Sequence, residues 1–215
     1  AGQDTVYYIF FGLTGVNFLA CNTDKGALDN LDIPNENKIV MGPGLGAGNN
    51  PERGSELAME SLDQIKQYLE AHGTKMVFIA AGMGGGTGTG ASPVIAKLAH
   101  DMGLLTVANV TSPFPAEGRT RVEQADRGIE ELRKYVDSLL VIHNESIREM
   151  YGKLPIKKAF GKADDILASA TKGIAEIITV KEAFIRVDFA DLERVMRGSG
   201  RAHMGVASAE GDNRA

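Results

Sequence analysis

A chain of 215 residues, 43% hydrophobic, is long enough for one full α/β core and the beginning of a second unit. Its net charge of −5, with Lys and Arg dispersed among acids, argues against a nucleic-acid partner, because neutralising phosphates needs clustered cations. Cys21 is the only cysteine, which excludes an intrachain disulfide and suits a reducing cytoplasm, while no secretory leader is visible and no apolar run approaches the roughly 20 residues that span a bilayer.

The opening stretch, Ala1 to Thr5, reads as the tail of a glycine turn running into a helix, with Asp4 near the N-cap and Val6, Ile9 and Phe10 on one face. No strand precedes it. Open α/β domains begin with a strand, so the first strand is expected to be missing, and a chain without it would expose unpaired backbone and fold poorly or dimerise. Val16 to Cys21 reads as a buried strand ending in the polar triplet Asn22-Thr23-Asp24, where α/β sheets place ligand groups; Asp24 serves equally well as a helix N-cap. Lys38 to Met41 is a short strand, and Gly42 to Pro51 a glycine-rich loop. From Ser55 the spacing of Ala58, Leu62, Ile65 and Leu69 predicts one helix, closed by His72-Gly73.

The apolar run Met76 to Ala81 leads into Gly82-Met83-Gly84-Gly85-Gly86-Thr87-Gly88-Thr89-Gly90, and Ser92-Pro93 then opens a helix carrying Val94, Ile95, Leu98 and Ala99. Strand, glycine loop and helix in that order make a phosphate site. Missing side chains let a polyanion approach the backbone, and the helix N-terminus offers unpaired N–H donors with a partial positive charge. The hydroxyls of Thr87 and Thr89 can add donors. A flexible linker would not be bracketed by a buried strand and a helix.

The strand Leu104 to Val110 follows, then a Pro-punctuated loop from Thr111 to Gly118 containing Glu117. A charged helix, Thr120 to Tyr135, carries Arg121, and the strand Leu139 to Ile142 ends just before Asn144. A long helix follows with Phe160, Ala163, Leu167, Ala170, Ile174, Ile177 and Ile178 at helical spacing and Asp164 and Asp165 in its first turns. After a loop from Val180 to Asp188 comes a short helix with Leu192, Val195 and Met196, and His203 to Val206 reads as the first strand of a second unit. The alternation implies a mostly parallel sheet with helices on both faces and one ligand crevice along the carboxyl ends of the strands.

Which nucleotide the crevice takes can be narrowed. The P-loop signature is absent, since neither Gly-Lys-Ser nor Gly-Lys-Thr occurs. The dinucleotide fingerprint fits only as Gly86-Thr87-Gly88-Thr89-Gly90-Ala91, and the acid it needs on the ribose is missing because the next strand runs into Thr111. A dehydrogenase is therefore a remote reading beside a mononucleotide binder. The four histidines lack ligand spacing, so no metal site of the protein's own is expected.

Six strings in fixed order, CNTD, GLGAGNNPE, GMGGGTGTGASP, PFPAEGRTR, IHNES and VDFAD, resemble FtsZ, the bacterial tubulin-like GTPases of the division ring, over nearly the whole chain. The resemblance implies a tubulin-like, Rossmann-like GTPase domain that binds GTP or GDP, with Mg²⁺ carried in on the nucleotide. By similarity, Gly82, Gly84, Gly85, Gly86, Thr87, Gly88 and Thr89 hold phosphates, and Gly46, Ala47 and Gly48 close on the γ-phosphate. Asn22 and Asp24 lie near the phosphates and Mg²⁺; Glu117 and Arg121 contact ribose and phosphates, although without the resemblance they read equally as a solvated pair at a helix start. Asn144, Phe160 and Asp164 recognise guanine, with Asp4 near the base and Gly2 among the nucleotide-binding residues. Asp188 and Asp191 match the catalytic acids that reach the nucleotide of the next subunit; Asp188 reads equally as the N-cap of the following helix, and both can hold.

The organisation implied is a GTP-binding domain over 1–158, a central core helix over 159–180, and a catalytic loop, short helix and the start of an incomplete C-terminal domain over 181–215. The partners implied are the chain itself, head to tail, and other division proteins through a C-terminal tail, in the cytoplasm at the division site. Arg186 departs from the family, which has Asn there, so a nucleotide-binding scaffold with little turnover stands as the alternative to an assembly-dependent GTPase.

Overall fold

The computed structural model describes residues 6–12, 15–151 and 188–201, together with helical positions at 161, 165–167, 169, 171–174 and 176. Strands β1 (Val6–Gly12), β2 (Gly15–Asn22), β3 (Lys38–Val40), β4 (Thr74–Gly82), β5 (Leu105–Ser112), β6 (Ser138–His143) and β7 (Gly200–Arg201) form one seven-stranded sheet in the order β3-β2-β1-β4-β5-β6-β7. β2 pairs parallel with β3, and β4 through β7 pair parallel in succession. β1 is antiparallel to both β2 and β4, so every other strand points the same way and their carboxyl ends share one rim.

The sequence leads one to expect a helix over the first residues and no strand; instead Val6–Gly12 fills the slot between β2 and β4, with Tyr7 opposite both Ala20 and Ala80. Two facts explain the difference. The run Val-Tyr-Tyr-Ile-Phe-Phe is β-branched or aromatic throughout, which favours strand, and an unbroken apolar run satisfies a helical spacing without specifying it. Without β1, moreover, β2 and β4 would each present an unpaired edge.

Helices cover both faces, as the alternation predicts. On one face lie α2 (Pro51–Glu60), α3 (Leu62–Ala71), α4 (Gly86–Asp101) and α5 (Arg119–Leu132), packed through Leu57, Ile65, Leu69, Ile95 and Ile129 onto Val77, Ile79, Ala108 and Val110. On the other, Leu192 of α7 (Phe189–Met196) and partly buried Ile174 meet Met76, Phe78, Leu105 and Val107. Alternate residues of β4 thus enter opposite cores, as a strand buried on both faces requires. α1 (Lys25–Asp29) and α6 (Asn144–Tyr151) start at the carboxyl ends of β2 and β6.

The single helix expected from Ser55 is two. α2 begins earlier, where Asn50 accepts from the Arg53 N–H at 3.0 Å and Pro51 occupies the first turn. It stops at Ser61, whose hydroxyl donates to the Leu57 carbonyl at 3.0 Å and competes with the helical ladder. α4, expected after the glycines, begins among them at Gly86. The expected strand His203 to Val206 lies outside the described residues; the short β7 just before it was not foreseen. Among the described residues no helix is long and apolar enough to cross a membrane.

Candidate functional site

Five connections converge on the rim. After β2, Asn22 is buried and Asp24 exposed. Asp24 accepts from the Ala27 N–H at 3.3 Å as the N-cap of α1, and its own N–H donates to the Asn22 side-chain oxygen at 3.1 Å. The loop carrying Gly46, Ala47 and Gly48 is laid against this turn, since the Gly46 N–H donates to the Thr23 carbonyl at 2.8 Å and the Lys25 N–H to the Gly44 carbonyl at 3.0 Å. Gly46 and Gly48 both have positive φ, 82° and 59°, and their Cβ positions face open space, so here backbone conformation alone calls for glycine.

In the main glycine stretch the requirement differs from residue to residue. Gly84 alone has a positive φ, 102°. Gly86, Gly88 and Gly90 are helical, and a Cβ would lie 2.8 Å from that of Ala47, 2.1 Å from the Gly82 carbonyl oxygen and 2.0 Å from the Pro51 carbonyl oxygen respectively. These glycines bring α4 against the sheet end and against α2; they fix where the helix N-terminus sits. The threonines point inward. Thr87 Oγ1 lies 2.7 Å from Thr23 Oγ1, and Thr89 Oγ1 accepts from the Gly84 N–H at 2.8 Å, both threonines being buried. Thr23, inside the polar triplet but not singled out by sequence, therefore ties β2 to α4.

The N-terminus of α4 is buried from Gly85 onward, no side chain caps it, and its first turn holds no acid. A sixteen-residue helix so placed presents orphan N–H groups and an uncompensated positive end, the requirements of an anion site. After β5, Glu117 accepts from the Phe114 N–H at 2.8 Å and from Arg121 Nη1 at 2.8 Å, so the two predicted residues hold each other at the start of α5 (Arg119–Leu132). After β6, Asn144 is 2% exposed and its Oδ1 has no hydrogen-bond partner among the described residues. A buried orphan carbonyl fits a site built to receive a ligand donor. Beside it, Ser112 and His143 link the ends of β5 and β6 at 3.0 Å, a pair with no signal in the sequence.

Asp188 and Asp191 are not at this rim. Asp188 caps α7 (Phe189–Met196), accepting from the Asp191 N–H at 2.8 Å, and both are exposed. That helix packs under the amino half of β4 and β5 and is fastened to the far rim, where the Gly198 N–H donates to Asp137 Oδ1 at 3.1 Å. Gly2, Asp4, Phe160, Asp164 and Arg186 lie outside the described residues.

Residues 3–152 match the family model described as "Tubulin/FtsZ family, GTPase domain". The chain is 50% identical to the cell division protein FtsZ of Pseudomonas aeruginosa over 94% of its length, and 50% identical to that of Pseudomonas putida over all of it, covering 51% and 54% of those proteins. A solved FtsZ dimer from M. jannaschii, described as empty, superposes with a TM-score of 0.79 at 44% identity, over 84% of this chain and 52% of that one. The chain thus spans about half the length of the curated relatives it matches. With a family model over more than half of its residues and a sheet, rim and glycine loops to match, the chain belongs to the tubulin/FtsZ family, of which it carries the GTPase domain.

Proposed function

We propose that the chain binds a guanine nucleotide along the rim and hydrolyses GTP to GDP and phosphate when copies assemble head to tail into filaments of the division ring. The buried, uncapped N-terminus of α4 carries this reading, because nothing else among the described residues explains orphan donors there. Gly85 to Gly88 would donate to the phosphates, Gly46 to Gly48 would close over the γ-phosphate, and the Glu117–Arg121 pair would open to ribose hydroxyls and phosphate oxygens. Asn144, with Phe160 and Asp164, would read the base. The exposed Asp24 carboxylate and Asn22 would border Mg²⁺ carried with the nucleotide, which would neutralise phosphate charge.

Asp188 and Asp191, which stand away from the rim, would serve a neighbouring copy's nucleotide: they would orient a water whose oxygen bonds to the γ-phosphorus as the bond to the β–γ bridging oxygen breaks, GDP leaving with the electron pair and the water's proton passing to solvent. The units proposed are the nucleotide domain to 158, the core helix over 159–180 and the catalytic segment from 181, in a cytoplasmic protein at the division site whose other partners bind through a C-terminal tail.

Nucleotide retained on purification, identified by chromatography, should be GDP or GTP, and phosphate release per subunit should rise with protein concentration. Adenine nucleotides alone would overturn the reading. Guanine binding without release at any concentration would leave a nucleotide-binding scaffold, which Arg186 in place of the family Asn favours.

A further inference from the structure

Behind the phosphate loop, on the outer face of the helix layer, lies a groove of about 520 Å³ between α2, α4 and α5. It exists because α4 packs closely between its two neighbours. Gly90 lets α4 approach the Pro51 carbonyl, and Gly128 lets α5 approach Thr89, where added Cβ atoms would lie 2.0 Å and 2.4 Å from their neighbours. The two flanking helices therefore stand as walls above a floor of Pro93 and Val94, with the Tyr135 ring at one end. The volume is in the range of small-molecule sites.

The charges on the walls are not all spent. Lys97 is paired with Asp101, Glu56 with Arg53 and Glu131 with Lys134. Among the described residues Glu52 on α2 and Arg127 on α5 have no ion-pair partner, Arg127 Nε donating only to the Glu123 carbonyl at 3.3 Å, and no ion pair joins the two. We propose that this groove is a second ligand site, taking a small zwitterion with an apolar body, of the α-amino-acid type: its ammonium on Glu52, its carboxylate on Arg127, its side chain over Pro93 and Val94.

The site is coupled to the phosphate loop through single contacts. Thr89 lines the groove and accepts the Gly84 N–H, and Gln124, at the rim end, donates to the Asn49 carbonyl of the other glycine loop at 3.3 Å. Occupancy should register at both loops. Its effect on nucleotide affinity rests on the function proposed above; occupancy itself does not.

L-phenylalanine, titrated at millimolar concentration into the nucleotide-free chain and followed by amide NMR, tests this directly. It should shift amides of α2, α4 and α5 around the groove and that of Gly84. Phenethylamine and 3-phenylpropionate, each with one of the two charges, should bind at least about threefold more weakly, a difference of about 0.65 kcal/mol. Val94→Trp, which fills the floor, should abolish the shifts while keeping a folded amide spectrum, and Arg127→Gln should erase the preference for phenylalanine over phenethylamine. Absence of shifts, shifts scattered over the surface, equal binding of the single-charge analogues, or undiminished binding to a folded Val94→Trp protein would overturn the proposal.

Discussion

The Thr89 hydroxyl accepts the Gly84 N–H inside the glycine stretch, with Thr89 4% exposed. Thr89→Val keeps the shape and removes the acceptor, leaving a buried N–H unpaired, so urea unfolding should show a loss of about 1–3 kcal/mol. Nucleotide affinity should fall with it, because the loop loses its internal brace. The sequence marks Thr87 and Thr89 as hydroxyl donors but cannot show which way they point; Thr89 turns back on its own loop at Gly84, and Thr87 meets Thr23 because α4 starts beside the end of β2. Cys21 gives a prediction of a different kind. Burial pushes its thiol well above the ordinary value of 9.0. Above about pH 9 the unfolded thiol ionises and the folded one does not, so the unfolded state binds fewer protons and stability falls as pH rises, by about 1.4 kcal/mol per unit. Burial also raises the Tyr68 phenol, with help from nearby Glu36, and its contribution has the same sign at higher pH. Urea midpoints at pH 8 and 10 should differ, and Cys21→Ala should narrow the gap.

At the scale of elements, the glycines of α4 (Gly86–Asp101) are packing residues. A Cβ on Gly90 would lie 2.0 Å from the Pro51 carbonyl oxygen and 2.7 Å from the Ser55 nitrogen, both backbone atoms that cannot turn aside. Gly90→Ala should therefore cost about 1–3 kcal/mol by overpacking despite improving local helix propensity, read as a lower thermal midpoint. Sequence alone suggests one glycine loop serving one ligand, since Gly84, Gly88 and Gly90 look alike in a string. The structure separates them: Gly84 by its left-handed φ, Gly88 and Gly90 by the backbone they touch. β1 (Val6–Gly12) shows the complementary case, where local pattern permits two elements and the vacancy between β2 and β4 selects one.

For the molecule as a whole, Asp137 fastens the segment bearing the proposed catalytic acids to the sheet. Its carboxylate accepts from the Thr106 N–H at 2.9 Å and the Gly198 N–H at 3.1 Å, and its carbonyl from the Gly200 N–H at 2.8 Å. Arg197 stands close by, its guanidinium pKa raised first by Glu193 and further by Asp137. Asp137→Ala should leave the buried Thr106 N–H orphaned and free the exposed Gly198 N–H, cost about 1–3 kcal/mol, and speed amide exchange at Gly198 and Leu192 while Ile95 stays protected. If the proposed assembly-dependent hydrolysis holds, the same variant should slow it more than it weakens nucleotide binding, because Asp137 is remote from the rim.

By itself the sequence determined the layered α/β plan, the strands from Val16 to Ile142 and the family, because each rests on local periodicity or on residue strings that need no partner to be read. It also located the rim, since glycine loops after apolar runs must fall at strand ends. What only the tertiary structure decided was which contacts those residues make: the antiparallel entry of β1, the Thr87–Thr23 contact and the Asp137 anchor. All of these join residues whose neighbours come from other strands and helices, and a pattern along one chain carries no record of what lies across it.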